Sequence, residues 1–149
     1  MLIEWYHKKF DELNADTLYQ ILKLRADVFV VEQNCVYPDL DGKDAGAIHL
    51  YAVHENQIVA YARLLAPGEA YPQAAIGRVV THANYRRLGM GKTLMEKAIA
   101  LTCDIYKTTH IYISAQLYLL HFYQNLGFIA VGESYLEDGI PHIQMQFSR

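Results

Sequence analysis

The chain has 149 residues, of which 52% are apolar and 19% charged, and a net charge of −3 with its histidines neutral. This length suits one domain with a sizeable core, and no stretch combines low hydrophobicity with high charge, which argues against disorder and against a tandem of domains. The acidic balance offers no broad electrostatic footprint for nucleic acid, and no apolar run reaches membrane-spanning length.

In chain order, the first ten residues carry Glu4, Lys8 and Lys9 and no continuous apolar core. The expectation is a protein without a signal peptide that stays in the cytoplasm, with Cys35 and Cys103 as free thiols. Residues 2–7 read as a short strand. Across residues 14–33, Leu18, Ile21, Leu22, Val28 and Phe29 recur three or four apart, which predicts a helix capped by Asn14 or Asp16. Residues 34–46 hold Pro38, Gly42 and Gly46 among three aspartates and read as a loop. Two β-type runs across 47–65 flank the polar turn His54, Glu55, Asn56, Gln57 and predict an antiparallel hairpin. After a loop at 66–73, a strand at 75–81 leads through a polar stretch into Leu94, Ala98, Leu101 and Ile105 at helical spacing. A strand at 110–114, a short helix at 117–125 and a closing strand pair at 128–134 and 140–147 complete the chain. The expected fold is α/β, a mixed sheet of six or seven strands flanked by helices. One strand-helix-strand crossover from Ala75 to Ser114 makes its two strands parallel.

The stretch Arg86, Arg87, Leu88, Gly89, Met90, Gly91, Lys92, Thr93 sits between strand and helix. Its glycines let main-chain amides approach an anion, the free amides of a helix start point at it, and three cationic side chains add charge-assisted bonds. A P-loop fails, because Arg86 stands where its first glycine belongs. A dinucleotide fingerprint starting at Gly89 fails, because Leu94 stands where glycine or alanine belongs.

The spacing of Arg86, Gly89 and Gly91 instead resembles the pyrophosphate motif of the GNAT superfamily of acyltransferases. Phe122, Tyr123, Gln124, Asn125, Leu126, Gly127, Phe128 resembles the superfamily's second signature, at the proper place after the crossover. The similarity sharpens toward the ElaA-like branch through Arg25, the Val28 to Gln33 segment, Cys35, Asp39 and Asp41. It continues in Ala115 with Gln116 and in Asp138, Gly139, Ile140, Pro141, His142, and so runs over nearly the whole chain. It implies a single GNAT domain over residues 1–149 that binds acetyl-coenzyme A through the 86–92 turn and moves its acetyl group to a primary amine. Main-chain groups of Val79, Val80 and Thr81 would hold the pantetheine arm and polarise the thioester, with the central strands splaying near Thr81 and Ser114. Gln116 stands where many members have asparagine.

Such a transfer needs a neutral amine, a polarised carbonyl and a proton for the departing thiolate. Tyr123 occupies the position of the superfamily's usual acid. Glu32 and His142 are the candidates for the base; Glu32 could otherwise pair with Arg25, and His142 could be a hydrogen-bonded structural histidine. His82 is a weaker candidate, and Cys35 would require an acyl-cysteine route with an activating base that the sequence does not supply. Asp39, Asp41 and Asp44 do not make a calcium loop, since Gly42 comes too early and Leu50 stands where the closing glutamate belongs. They read either as an acidic rim for a cationic amine or as solvated loop residues. No histidine pair has metal-ligand spacing, and no metal is expected. The rival reading is a domain that binds an acyl-coenzyme A without turnover. A small molecule and a peptide remain open as acceptor, and a homodimer remains open as the assembly.

Overall fold

The two β-type runs around the 54–57 turn form the centre of the fold as an antiparallel hairpin, β2 (Ile48–His54) and β3 (Gln57–Leu65). Glu55 and Asn56 both take positive φ, 50° and 63°, the backbone of a two-residue turn whose twist matches that of its strands. In the computed structural model, which describes residues 1–149, β1 (Glu4–Lys9) pairs with β2 and β4 (Ala74–Thr81) with β3, both antiparallel. β5 (His110–Gln116) then lies parallel to β4, while β6 (Phe128–Glu137) and β7 (Ile140–Ser148) close the sheet in the order β1-β2-β3-β4-β5-β7-β6. The seven strands agree with the expected mixed sheet. β1 begins and ends two residues later than expected, because its register is set by Glu4 facing Val53 and Lys9 facing Ile48.

The two faces of the sheet bury different helices. Leu50, Ala60, Ala62, Leu64 and Ile76 pack with Ile111, Ile113 and Ala115 against α2 (Met90–Tyr106), whose buried residues Met90, Leu94, Met95, Ala98, Ile99, Thr102 and Cys103 form one stripe at three- and four-residue spacing. α3 (Leu120–Gln124), entered through a 3₁₀ turn at Leu117–Leu119, lies on the same side. On the other face, Tyr51, Ile58, Tyr61 and Val80 meet Ile21, Leu24 and Val28.

Asn14 caps α1 (Ala15–Arg25), its side chain accepting from Thr17 N at 2.8 Å. The helix expected to run to residue 33 stops being α-helical at Arg25 and continues as a π-helix over Ala26–Glu32. Gln33 N–H donates to Val28 O and Cys35 N–H to Val30 O, both at 3.0 Å. These are bonds to the fifth preceding residue, and a three-or-four apolar spacing does not distinguish that wider turn from an α turn. The widening lets Phe29, Glu32 and Gln33 face the same cleft.

Only two residue pairs join β4 to β5, Ala74 with Ile111 and Ala75 with Tyr112. Beyond them the strands diverge, and β4 carries a bulge at Arg78, which takes a φ of 51°. The splay expected near Thr81 and Ser114 is this gap, and it opens the cleft described next.

Candidate active site

α2 starts at a glycine that cannot cap it. Gly89 sits at φ 74°, ψ 8°, with no side chain to satisfy the first amides, and the first intrahelical bond there is Thr93 N–H to Gly89 O at 3.1 Å. The amides of the first turn therefore point into the cleft unpaired, with the positive end of a 17-residue helix behind them. Arg86, Arg87, Gly89, Met90, Gly91 and Lys92 all line a cleft of about 800 Å³, whereas Leu88 turns its side chain to solvent and does not. This end of the cleft fits a polyanion such as a pyrophosphate.

The cleft continues along the divergent end of β4, past Val79, Val80 and Thr81, whose edge no longer pairs with β5. Gln116 lies across the gap and donates from Nε2 to Gln33 Oε1 at 3.2 Å, which ties the end of β5 to the π-helix. Arg86 is held by Thr81 O, 3.3 Å from its Nε, and by Glu32, 2.7 Å from its Nη1. Glu32 therefore pairs with Arg86 rather than with Arg25.

Tyr123 enters from α3 and is 6% exposed, its ring edge-on to Phe122 and Phe128 at 5.1 and 5.8 Å. Burial pushes its phenol well above the ordinary tyrosine range, so it stays protonated and able to donate at neutral pH. On β7, His142 is also 6% exposed. Its Nδ1–H donates to Ile140 O at 2.7 Å, which leaves Nε2 as the acceptor of the neutral ring. That nitrogen lies 3.4 Å from Glu137 Oε2. Gln116 faces His142 across β5 and β7, and Tyr135 faces it across β6 and β7, so the three side chains share one face of the sheet.

The family profile of the acetyltransferase (GNAT) domain matches residues 23–149. The chain belongs to the GNAT acetyltransferase family. Protein ElaA of Escherichia coli K12 is 41% identical over 146 residues, which cover 97% of this chain and 95% of that one. The crystal structure of an acyl-CoA N-acyltransferase from Pseudomonas aeruginosa is similar with a TM-score of 0.94 at 42% identity, covering 99% of this chain and 100% of that one. E. coli ElaA itself has a TM-score of 0.93 at 40% identity, with 99% and 100% covered. This GNAT protein is an acyltransferase of a family that uses acyl-coenzyme A.

The GNAT cleft is floored by a charge cluster that corrects one sequence expectation. Asp39, Asp41 and Asp44 are neither a free acidic rim nor solvated loop residues, because three arginines neutralise them. Arg25, with no exposed surface, lies 2.9 Å from Asp39 and 2.7 Å from Asp44. Arg63 holds Asp41 and Asp44, and Arg78 holds Asp39 and Asp41. Burial alone would raise the carboxyls of Asp41 and Asp44; the guanidinium groups win and hold both below the usual range. Cys35 donates weakly to Asp138 O at 3.4 Å and has no base beside it, so no acyl-cysteine route is built here. His82 caps a short 3₁₀ turn through Asn84 N.

Ser114 and Glu137 also line the cleft, and the sequence did not single out Glu137 or its neighbour Tyr135 on the closing hairpin. Ser114 Oγ bonds to the Tyr135 hydroxyl and donates to Glu137 Oε1 at 3.1 Å. Asp138 and Gly139 take φ of 51° and 78°, the two-residue turn that an Asp-Gly pair announces. From that turn the register of Tyr135 and Glu137 beside His142 could have been counted back.

Proposed function

We propose that the protein transfers the acetyl group of acetyl-coenzyme A to a primary amine, directly, within a ternary complex. The observation that carries this reading is that one cleft is lined by the uncapped start of α2, by the unpaired end of β4, and by Tyr123 and His142. In it the 86–92 turn binds the pyrophosphate, and main-chain groups of Val79, Val80 and Thr81 hold the pantetheine arm and polarise the thioester carbonyl. Gln116 fixes the π-helix against the end of β5 and borders the arm. Tyr123, whose phenol carries its proton at neutral pH, gives it to the departing thiolate.

Of the two base candidates, His142 takes the acceptor proton. Its Nδ1–H is committed to Ile140 O, so Nε2, beside Glu137 in the cleft, is the nitrogen that accepts a proton. Glu32 is engaged by Arg86 and acts on the donor side instead. Family membership and the presence of a buried phenol and an oriented imidazole in one cleft favour this enzyme over a non-catalytic binding module.

The test is thiol release from acetyl-coenzyme A with a panel of small amines and peptides. Amine-dependent thiol release by an initial-velocity pattern of intersecting lines supports the reading. Parallel lines would show a covalent acyl-enzyme and sink the ternary complex. Donor binding without release from any amine would leave the binding module.

A further inference from the structure

The fixed charges of the cleft cancel in pairs except at its two ends. Arg25, Arg63 and Arg78 offset Asp39, Asp41 and Asp44, and Arg86 offsets Glu32. Arg87 and Lys92 remain at the phosphate turn. Among the other lining residues Glu137 and Asp138 remain, with Lys43 as one further cation. The cleft is thus polarised, cationic where a pyrophosphate fits and carboxylate-rich where an acceptor would enter.

Around Glu137 stand a serine hydroxyl and an imidazole, with a phenol one hydrogen bond further out. Its Oε1 accepts from Ser114, whose Oγ also meets the Tyr135 hydroxyl. Its Oε2 faces His142 Nε2 at 3.4 Å. With Nδ1–H given to Ile140 O, Nε2 is the acceptor whenever the ring is neutral, and it and the carboxylate then both turn lone pairs toward a ligand placed between them. Such a pair is satisfied by a donor that brings several N–H groups and a positive charge. Tyr71 lines the same cleft as Ser114 and Glu137, and burial is the chief cause that pushes its phenol upward. Tyr71 also packs on Tyr112 at 5.8 Å, which gives the pocket an aromatic wall suited to a cation.

We propose that Glu137, with His142, Ser114 and Tyr71, is the site that receives the acceptor amine in its ammonium form. The inference rests on the acetyltransferase reading above and names a further catalytic residue for it. One N–H of the ammonium bonds Glu137 Oε2, a second His142 Nε2 and a third a hydroxyl of Ser114 or Tyr71. His142 Nε2 takes the second proton, and Glu137 stabilises the imidazolium that results. The neutral nitrogen then forms its C–N bond to the thioester carbon and the C–S bond breaks. The sulfur takes the Tyr123 proton, and the second proton of the nitrogen leaves to water as Tyr123 is reprotonated from water. Asp138, its carbonyl held by Cys35, lines the same cleft and adds negative charge there.

The test follows the ¹⁵N resonances of the His142 ring while hexylammonium chloride is added to the coenzyme A complex, with 1-hexanol as the neutral control. Binding of coenzyme A is measured separately by calorimetry. Hexylammonium is expected to shift Nε2 to saturation, hexanol to leave it in place, and Glu137→Gln to weaken the hexylammonium response roughly ten- to a hundredfold. Ser114→Ala, which frees the carboxylate to rotate, should weaken it by a smaller factor. Coenzyme A affinity should stay unchanged in both variants, which also reports that they fold. Normal coenzyme A binding with no response of His142, or a response that Glu137→Gln leaves intact, overturns the ammonium site while the transferase reading stands. Absence of coenzyme A binding in the unmodified protein overturns the transferase reading and this inference with it.

Discussion

Arg86 Nη1 lies 2.7 Å from Glu32 Oε2, an ion pair between residues on two different walls of the cleft, one on the phosphate turn and one at the end of the π-helix. Both side chains keep about two fifths of their surface exposed, 39% and 44%, so the pair contributes at most about 1 kcal/mol. A pyrophosphate on the turn competes with Glu32 for the same guanidinium. Removing the competitor should therefore help the donor.

Glu32→Gln is expected to tighten acetyl-coenzyme A binding by about two- to fivefold, the equivalent of such an exposed pair, and to leave kcat within about threefold. Arg86→Ala should raise the donor KM and spare kcat. Calorimetry and steady-state rates at saturating acceptor read both. A Glu32→Gln variant with unchanged donor affinity and kcat down about a hundredfold would return the role of base to Glu32.

Tyr123→Phe keeps the ring against Phe122 and Phe128 and removes only the proton donor. The expected outcome is a fall in kcat of about 10²- to 10⁴-fold with little change in thermal midpoint. The loss should be smaller for a donor whose leaving thiol is more acidic, since that thiolate needs no proton. Equal losses for acetyl-coenzyme A and for an acidic aryl thioester would remove Tyr123 from the acid's role.

The α2 start, the crossover and the β2–β3 hairpin were legible because each rests on local signals: glycine spacing, helical periodicity, a polar turn between β runs. The contacts that shape the site were not, because they are made by register and by long-range charge pairing. Glu32 could be read as a partner of Arg25 only because both lie near the same helix, yet Arg25 reaches Asp39 and Asp44 instead. The π-helix at Ala26–Glu32 turns Glu32 toward the cleft, and periodicity does not register that change. Asp39, Asp41 and Asp44 looked like spare negative charge in a loop until the fold brought Arg63 from β3 and Arg78 from the β4 bulge beside them. Glu137 carried no sequence signal of its own.

Acid should destabilise the protein in two stages. His49 is buried, with Nε2 on Asp44 O and Nδ1 on the Tyr61 hydroxyl, and burial lowers its proton affinity below the ordinary value of about 6.5. The unfolded chain thus takes up that proton first, so stability falls as pH drops below about 6.5. Asp41 and Asp44 are held low by their arginines, so their contribution is present above about pH 4 and is lost as pH falls from there toward their folded values. Urea midpoints measured from pH 7.5 to 3 should show both slopes, and His49→Gln should flatten only the first. A single slope confined below pH 4 in the unmodified protein would contradict the role given to His49.

Gly89 and Gly91 should differ sharply on substitution although both belong to one motif. Gly89 has a φ of 74° with open space where a Cβ would stand, so its glycine is required by the backbone alone. An alanine there costs roughly 1–2 kcal/mol in the left-handed region, or escapes that region and swings the first amides of α2 off the phosphate. A Cβ on Gly91 would meet the Phe122 ring at 3.6 Å, an ordinary contact, on a residue already inside the helix. Gly89→Ala is expected to raise the acetyl-coenzyme A Kd by about tenfold or more, the effect of displacing even one amide bond to a charged group. Gly91→Ala should stay within about threefold, and its thermal midpoint should hold or rise, since alanine favours the helix. If the two variants lose donor affinity equally, the turn acts through the room at Gly91 as much as through the left-handed backbone at Gly89.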